Sequence, residues 1–428
     1  MTKNELLTIR AVTDAAELGA LREEWDQLLL GSRTGSICLT WEWVCTWWEI
    51  FGGPGLELYV LLLRAENRLV GIAPFVVITH RERGLLKVRT LRFLGTGEPE
   101  WEETASEYLD VIAAGGYEKP VADRVWSHLQ SCSRQWDQIV FNDVMGDSLV
   151  ISHLKERMLQ AGMRPRQIQI GTRYCIDLPS SWEAYLNMLE PGTRKRFQYK
   201  RRKLEKAGHV EERGITSPED VGPAFKDLVR LHTMRWISRG GRGVFASERF
   251  VAFHEKLMHR LLERGMLNIR LLSFDGAAIS ALYNFRYGGT DYFYQAGFDT
   301  GNASRYSPGI VAHNYAIEDA IRQGMKKYDF MKGGTVSYKS EFACNESPVY
   351  EVEMSCRTFT GSLLDWQARL RVIWRRIRGK SHRRQTQTDQ TGIPARFRSQ
   401  PLGIGRLFCE RNSCPSPGWR ALKLMQLY

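Results

Sequence analysis

The chain lacks paired cysteines, long apolar runs and a recognisable leader. Its eight cysteines are scattered, and no two show the Cys-x-x-Cys spacing of zinc and redox sites. They are Cys38, Cys45, Cys132, Cys175, Cys344, Cys356, Cys409 and Cys414. This usage argues against a disulfide framework or a metal site and favours a cytoplasmic protein with reduced thiols. No window holds the ~18 uninterrupted apolar residues of a transmembrane helix, and the polar start MTKNELLTIR predicts no signal peptide.

Acidic residues are scarce only towards the C-terminal end. Residues 361–428 contain 14 lysines and arginines but 3 acids, so they carry +11 of the net charge of +12. The basic character therefore belongs to this tail and not to the preceding body. A length of 428 residues predicts two domains with room for a tail.

The first half alternates helical and strand patterns. Ala15–Leu30 has a helical apolar period, and the Trp-rich stretch TWEWVCTWWEIFGG follows. Packing of the indole rings is favoured there over sugar or membrane binding, because one aromatic ring buries a large area. Leu58–Arg64 and Arg68–Ile78 predict a hairpin. Further strands are predicted at Val88–Gly95, Glu107–Ala113 and Trp136–Asp143, and helices at Tyr117–Leu129 and Ser148–Ala161.

The second half repeats this order of elements. LYVLLLRAENRLVGIA (58–73) lies over LNIRLLSFDGAAISAL (267–282), each with a strand, a polar turn and a strand. Both hairpins are followed by more strand, a helix and a strand that begins with Trp-Asp or Tyr-Asp. Identity is slight, but the shared order suggests two similar α+β modules.

A strongly basic helix is predicted between the two halves, over residues 192–208. This segment contains eight lysines and arginines and one acidic residue, Glu205. The cations are Arg194, Lys195, Arg196, Lys200, Arg201, Arg202, Lys203 and Lys206. The segment is either a solvated helix face or a surface that binds a polyphosphate, a nucleotide-linked substrate or RNA.

The C-terminal end changes pattern again. Residues 359–379 predict a basic amphipathic helix with an apolar stripe. The stripe consists of Leu363, Trp366, Leu370, Ile373 and Ile377. The helix either docks on the body or lies on an anionic membrane surface. Residues 380–428 show no period and are expected to be disordered.

Residues 267–341 contain the most distinctive motifs. Asp275-Gly276 joins two predicted strands, and a third runs over Asp291–Phe298. Ser307-Pro308-Gly309 then predicts a helix start, with Ser307 as its cap and Gly324 at its end. Free backbone N–H groups at such a start make a natural anion site, although an ordinary capped helix would look the same.

Together these motifs resemble the GNAT-superfamily proteins of the CelD/BcsL type, relatives of the Fem peptidyltransferases that build peptidoglycan cross-bridges. The resemblance covers residues 10–355 and rests on six short motifs. They are LHTMRW (231–236), DGAAISALYNF (275–285), YQAGFD (294–299), SPG (307–309), YDFMKGG (328–334) and YK (338–339).

The resemblance implies an α+β fold of two tandem GNAT-like modules, each a mixed, mostly antiparallel sheet flanked by helices. The N-terminal module is expected over residues 1–170. The catalytic C-terminal module, with the basic helix as an insertion, is expected over residues 171–358. The cysteine usage predicts a cytoplasmic location, and the basic C-terminal helix adds peripheral contact with the inner membrane face as the alternative to docking on the body.

The resemblance also implies transfer of an acyl group, an acetyl group first of all, from acyl-CoA to an amine or hydroxyl. The acceptor would be a small molecule or glycan precursor in exopolysaccharide or cell-envelope synthesis. Fem relatives use aminoacyl-tRNA instead, and this chain lacks the Q/R-x-x-G-x-G/A loop of ordinary GNAT proteins before its SPG helix. Aminoacyl-tRNA is therefore an alternative donor, and a non-catalytic scaffold in polysaccharide synthesis is a third possibility.

Acyl transfer needs removal of an acceptor proton, stabilisation of an oxyanion and protonation of the leaving group. Asp329, near the exit of a strand, is expected to act as general base or to orient the acceptor, or else to form a structural hydrogen bond. Lys339 would neutralise the oxyanion or a phosphate, as a lysine does in Fem-type enzymes, or form a structural ion pair. Tyr338 and Tyr294 are candidate general acids or packing aromatics.

The remaining candidates are binding residues. Ser307, Gly309 and Ile310 at the predicted helix start are expected to bind the cofactor. His232 and Arg235 could line the substrate pocket or act as a cap or ion pair. Asp299 could bind substrate or simply turn the chain.

Overall fold

The computed structural model describes residues 7–82, 86–238, 240–334 and 337–366. The strands are β1 (Leu7–Val12), β2 (Leu56–Ala65), β3 (Arg68–Glu82), β4 (Leu86–Phe93), β5 (Ile112–Ala113), β6 (Gln138–Met145), β7 (Arg166–Asp177), β8 (Val210–Gly214), β9 (Leu267–Phe274), β10 (Ala277–Tyr287), β11 (Thr290–Phe298), β12 (Lys327–Gly333) and β13 (Asn345–Ser355). The helices are α1 (Ala15–Ala20), α2 (Arg22–Leu30), α3 (Trp41–Phe51), α4 (Glu118–Ser131), α5 (Lys155–Gln160), α6 (Trp182–Met188), α7 (Pro191–Glu205), α8 (Pro218–Ile237), α9 (Glu248–Glu263) and α10 (Pro308–Arg322).

Residues 359–366 begin one more helix. Most of the basic helix predicted over 359–379, and the whole tail from 380, lie outside the described residues. No helix in the described part of the chain combines the length and apolar character needed to cross a membrane.

One mixed sheet runs through both halves of the protein. Its order is β1-β2-β3-β4-β6-β13-β7-β12-β11-β10-β9-β8, and β5 pairs with β3. The pairs β4–β6 and β11–β12 are parallel, whereas the hairpins β2–β3 and β9–β10 are antiparallel. The predicted α+β class, with a mixed and mostly antiparallel sheet flanked by helices, is confirmed.

The two halves exchange their last strands. β7 follows β6 in the chain but pairs with β12, and β13 follows β12 but pairs with β6. The β7–β13 pair then joins the halves. The predicted boundary at residue 170 falls inside β7, and the division into two modules stays a prediction.

The parallel strands β11 and β12 separate soon after they meet. Their pairing extends only over Thr290–Tyr292 and Lys327–Asp329, although each strand continues beyond it. The gap between the continuing strands is called the β11–β12 wedge below. In the first half, β4 and β6 are likewise paired in parallel over only three residues.

Helices cover both faces of the second half of the sheet. On one face α9 packs against α3 of the first half, where the rings of Trp43 and Phe253 meet edge-on at 5.3 Å. On the other face α7 and α10 bury Phe197 and Ile317. Trp43 and Trp47 are fully buried, which confirms that the Trp-rich helix packs into the core.

The strand predicted at Glu107–Ala113 is wrong except for its last two residues, which form β5. Ala105 and Tyr108 have left-handed backbones with φ of 47° and 58°, which a strand does not allow. The local apolar pattern is overridden by two buried carboxylates. Glu107 and Asp110 accept backbone N–H groups from other parts of the chain, so this segment forms an irregular loop.

Candidate active site

The motif YDFMKGG forms β12, which bulges directly after Asp329. Phe330 and Met331 lie opposite a single residue of β7. Met331 has a left-handed backbone with φ of 59°, which is uncommon for a residue with a side chain. The Met331 N–H donates to Oδ1 of Asp329 at 2.7 Å and closes the bulge. Asp329 thus lies on the predicted strand, where its regular pairing with β7 stops.

Asp329 is fully buried and both of its carboxylate oxygens accept hydrogen bonds. The Tyr108 hydroxyl donates to Oδ1 at 3.2 Å, and Nε of Arg173 on β7 donates to Oδ2 at 2.6 Å. The Arg173 guanidinium also lies 4.9 Å from the centre of the Tyr108 ring. These contacts fit an orienting carboxylate better than a free general base.

Lys339 lies in a 3-10 turn over Tyr338–Phe342, after β12. Its ammonium donates to the carbonyl oxygens of Phe330 and Lys332 at 2.7 and 2.8 Å. The side chain is buried, and burial lowers the pKa of the Lys339 amine. An ammonium has three N–H donors, and the described residues provide no partner for the third.

The first half of the chain contributes two buried acids to the same place. Oε2 of Glu107 accepts the Lys332 backbone N–H at 2.6 Å. The Lys332 ammonium donates to Oδ1 of Asp143 at the end of β6. Asp143 has a left-handed backbone with φ of 59°, like Tyr108 and Met331. Backbone strain of this kind concentrates at functional sites, so the clustering supports a functional role for this region.

The predicted helix start at Ser307-Pro308-Gly309 is found at α10, but its capping differs from the prediction. Ser307 has φ of 55° and makes no side-chain cap bond. Its hydroxyl accepts a hydrogen bond from the Lys200 ammonium of α7, so the basic helix lies beside the helix start. Burial and the neighbouring cations of α7 lower the pKa of Lys200.

This helix start offers few free amides to a coenzyme pyrophosphate. Pro308 has no N–H, and the Ile310 and Val311 N–H groups donate to the Ser307 carbonyl oxygen at 3.0 and 3.3 Å. The Phe298 ring lies against Gly309, where an added Cβ would approach it to 3.3 Å. A phosphate would therefore be held by the Lys200 ammonium and the Gly309 amide.

The β11–β12 wedge is filled by aromatic rings. His313 of α10 lies between Phe293 and Phe330, with ring centres 4.5 and 4.9 Å away, and its Nδ1 is 3.1 Å from the Tyr328 hydroxyl. Burial, with the charges of Lys339 and Arg235, lowers the pKa of His313 to about 3. A thioester arm that entered the wedge would have to displace these neutral rings.

The two predicted general acids, Tyr294 and Tyr338, have different surroundings. The Tyr294 hydroxyl donates to the Thr104 carbonyl oxygen at 2.7 Å and lies 3.0 Å from Nε2 of His254. Tyr338 is 36% exposed and packs edge-on against Phe342.

The predicted substrate residues lie near the end of β11. The Trp236 indole N–H donates to Nε2 of His232 at 2.8 Å, and the Arg235 guanidinium lies 5.0 Å from the Phe298 ring centre. Asp299 accepts the Gly301 and Ala303 N–H groups, which matches its expected alternative of turning the chain. These residues therefore lie by the start of α10.

Sequence reasoning missed Glu107, Tyr108, Arg173 and His313. The one available signal was the pair of acids inside the otherwise apolar stretch EYLDVIA (107–113), because buried acids need partners. Arg173 and His313 carried no comparable signal.

Among the described residues, a surface cavity lies apart from the predicted site residues, and no metal-ligand cluster coincides with them. A surface cavity of about 450 Å³ lies between α3, β2 and β3, with Trp48, Tyr59 and Gln135 among its lining residues. It contains none of the predicted site residues. No group of three or more histidines, cysteines or acids suited to hold a metal occurs among the described residues.

A known protein family matches the part of the second half that contains Asp329 and Lys339. Residues 191–340 match the family model of an acetyltransferase (GNAT) domain. This GNAT-like domain contains α7–α10, β8–β12 and Lys339, but not Glu107 or Arg173. No curated protein matches the chain.

Two solved structures share the fold of the whole described body. The crystal structure of FemX is 12% identical with a TM-score of 0.55, over 81% of this chain and 96% of FemX. A conserved protein of unknown function from Bacteroides thetaiotaomicron VPI-5482 is 9% identical with a TM-score of 0.50, over 82% of this chain and 100% of that protein. At these identities the likeness establishes the fold alone.

Proposed function

We propose that this protein is an acyltransferase that transfers an acyl group, an acetyl group first of all, from acyl-CoA to an amine or hydroxyl acceptor. The acceptor is a small molecule or glycan precursor of exopolysaccharide or cell-envelope synthesis, as in proteins of the CelD/BcsL type. The reaction takes place in the cytoplasm, with the basic segment 359–379 in contact with the inner membrane face. The match of residues 191–340 to a GNAT domain supports this proposal.

The observation that carries the proposal is that the described residues use only two of the three N–H donors of the buried Lys339 ammonium. Two of its donors hold the carbonyl oxygens of Phe330 and Lys332, which fixes the direction of the third. A fixed donor in a poorly hydrated site stabilises a developing oxyanion far more than the same donor does in water.

In this mechanism the acceptor nitrogen or oxygen attacks the acyl carbonyl carbon, and Lys339 stabilises the resulting oxyanion. The bond to the leaving group then breaks, and the proton lost by the acceptor ends on the leaving thiol. Asp329 keeps the bulge of β12 in place through the Met331 N–H. Lys200 and the Gly309 amide would hold a phosphate of the donor.

Aminoacyl-tRNA is the second candidate donor, and one surface favours it. The outer face of α7 exposes five cations and Tyr199, which is 60% exposed. The cations are Lys195, Arg196, Arg202, Lys203 and Lys206. Cations beside an exposed aromatic ring suit a nucleic-acid backbone and its bases, whereas the filled wedge leaves little room for a thioester arm.

Lys339→Met tests the role of the lysine, with Lys327→Met as the matched control because Lys327 is exposed at the start of β12, the strand that precedes the Lys339 turn. Transfer of a radiolabelled acyl group to amino sugars and other amines would be measured. We expect Lys339→Met to lose about 10²–10³-fold in rate, the effect of removing one oxyanion donor. Equal rates in the two variants would refute the role of Lys339.

Thermal-shift measurements separate the donors. Stabilisation by acetyl-CoA or longer acyl-CoAs supports the main proposal, because a ligand that binds only the folded state raises the melting temperature. Stabilisation by aminoacyl-tRNA alone assigns the second donor. No response to any donor, together with no transfer, would identify a non-catalytic scaffold.

A further inference from the structure

Glu107 links the first half of the chain to the candidate active site in the second half. It lies on the irregular loop before β5, and its side chain is 5% exposed. Its carboxylate reaches β12, where Oε2 accepts the Lys332 N–H at 2.6 Å. Such a short bond to a buried carboxylate is charge-assisted and stronger than a neutral one.

The Lys332 residue is held at three points. Glu107 binds its N–H, Asp143 binds its side-chain ammonium, and its carbonyl oxygen accepts the Lys339 ammonium at 2.8 Å. One residue therefore connects the Glu107 carboxylate to the Lys339 ammonium. Any shift of the Lys332 peptide would move the oxygen that holds Lys339.

The charged groups around Lys339 also connect it electrostatically to Glu107. Burial lowers the pKa of Lys339, whereas the negative charges of Glu107 and Asp329 raise it and the Lys332 ammonium lowers it. Burial raises the pKa of Glu107, opposed by Lys332 and Lys339 and assisted by Asp143. From α10, neutral His313 faces the same ammonium.

We propose that Glu107 is a positioning residue for Lys339. It fixes the Lys332 peptide that holds the ammonium, and its negative charge keeps the amine protonated inside the protein. The consequence for catalysis rests on the proposed function, but the effect on Lys339 does not. Because Glu107 lies outside residues 191–340, the GNAT-like domain depends on the first half for the state of its lysine.

The test measures the pKa of Lys339 directly in the full chain. Protein labelled with ¹³C at lysine Cε is titrated by NMR, and Lys339→Arg assigns the resonance. Glu107→Gln keeps the shape of the side chain but removes its charge. We expect the pKa of Lys339 to fall by about 1 pH unit, since an opposite charge at this range shifts a pKa by roughly that amount or more.

Asp110→Asn is the matched control. Asp110 lies three residues away on the same loop and is equally buried, but it accepts the Leu149 and Val150 N–H groups instead. Asp110→Asn should lower the melting temperature without moving the Lys339 resonance. Glu107→Asp retains the negative charge, so the pKa of Lys339 should stay close to its value in the unaltered protein. This variant can also be measured if Glu107→Gln does not fold.

An unchanged Lys339 titration in Glu107→Gln, or an equal shift in Asp110→Asn, would overturn the proposal. A Lys339 pKa shift in Glu107→Asp as large as the shift in Glu107→Gln would overturn it as well. Once an acceptor is known, Glu107→Gln should lower kcat more than it changes KM and move the pH profile to lower pH. If the Lys339 pKa moves but Lys339→Met retains full transfer, the positioning role stands and the proposed function fails.

Discussion

The carboxylate of Asp329 accepts hydrogen bonds from three separate segments. Tyr108 reaches it from the loop before β5, Arg173 from β7 and Met331 from the bulge of β12. A buried carboxylate of this kind is needed to hold its neighbours whether or not it also contacts substrate. Loss of activity in an Asp329 variant therefore requires a stability measurement beside it.

Asp329→Asn is expected to destabilise the protein by about 3 kcal/mol or more, since removal of one partner leaves the other charge buried and unpaired. Arg173 is that partner, and its side chain is 21% exposed. Urea unfolding followed by circular dichroism measures the change. The double variant Asp329→Asn with Arg173→Met should cost less than the two single changes together, and strict additivity would contradict this pairing.

The candidates Asp329 and Lys339 come from the motifs YDFMKGG and YK and from the family resemblance that these motifs carry. The partners of these residues could not be predicted in the same way. Glu107 and Arg173 are distant along the chain, and only the sheet order brings them to β12. The two acids within EYLDVIA (107–113) indicate that Glu107 needs a partner but not which one, and the sequence around Arg173 carries no signal.

At the scale of elements, the contact between α8 and β11 requires a glycine. A Cβ on Gly297 would lie 2.5 Å from the His232 backbone nitrogen and 2.6 Å from Cβ of Leu231. Since one of these atoms belongs to the helix backbone, the clash cannot be relieved by a side-chain rotation. The YQAGFD motif thus has a packing reason for its glycine.

Gly297→Ala should destabilise the protein by about 1–3 kcal/mol, the usual effect of overpacking a core. Gly222→Ala in α8 itself is the matched control, because nothing lies within 4 Å of its added Cβ. That change should stabilise the protein by about 1 kcal/mol through helix propensity. Thermal unfolding checks both, and a neutral Gly297→Ala would show that α8 can move away from β11.

The start of α10 shows where element prediction fails in detail. The Ser-Pro-Gly pattern located the helix start correctly, since Pro308 occupies the first turn. The conformation of Ser307 depends on Lys200 of α7, which binds its hydroxyl. This tertiary contact overrides the local capping preference, and the sequence around Ser307 does not indicate the contact.

At the scale of the whole molecule, the repeated hairpins were predictable and the strand exchange was not. The hairpins β2–β3 and β9–β10 follow from local alternation and turns. The pairing of β7 with β12 and of β13 with β6 joins segments far apart in the chain. Both β6 and β12 bulge near a left-handed residue, Asp143 and Met331, so the halves share an irregularity that periodicity cannot reveal.

The protein buries carboxyl groups and imidazoles together, with opposite effects on its acid stability. Burial raises the pKa of Glu98 and Asp110 to about 7 and raises that of Glu107 as well. These groups bind protons more readily in the folded state, so their contribution to stability grows as the pH falls from about 7 to their ordinary values of 4.5 and 3.8.

The imidazoles act in the other direction. Burial lowers the pKa of His232, His254 and His313 to about 3 from an ordinary value of 6.5. The unfolded chain therefore binds more protons between these values, and each imidazole reduces stability as the pH falls through this range.

The free energy of unfolding should accordingly change little between about pH 4.5 and 6.5, where the two sets offset each other. Below about pH 4.5 the glutamates no longer offset the imidazoles, and below about pH 3.8 Asp110 no longer does so either. Stability should then fall by roughly 4 kcal/mol per pH unit. Urea unfolding at a series of pH values measures this slope. His254→Gln should reduce the slope below pH 4.5 by about 1.4 kcal/mol per pH unit, whatever its effect on stability at neutral pH.

His259→Gln provides the control for that measurement, because His259 is exposed on the same helix, α9. It should leave the acid slope unchanged, because it removes none of the three buried imidazoles. Equal slopes in His254→Gln and the unaltered protein would mean that His254 takes up its proton while the protein is folded. The ring would then have to leave its contacts with the Tyr283 and Tyr294 hydroxyls, and acid would loosen the packing of α9 against β10 and β11 before it unfolds the chain.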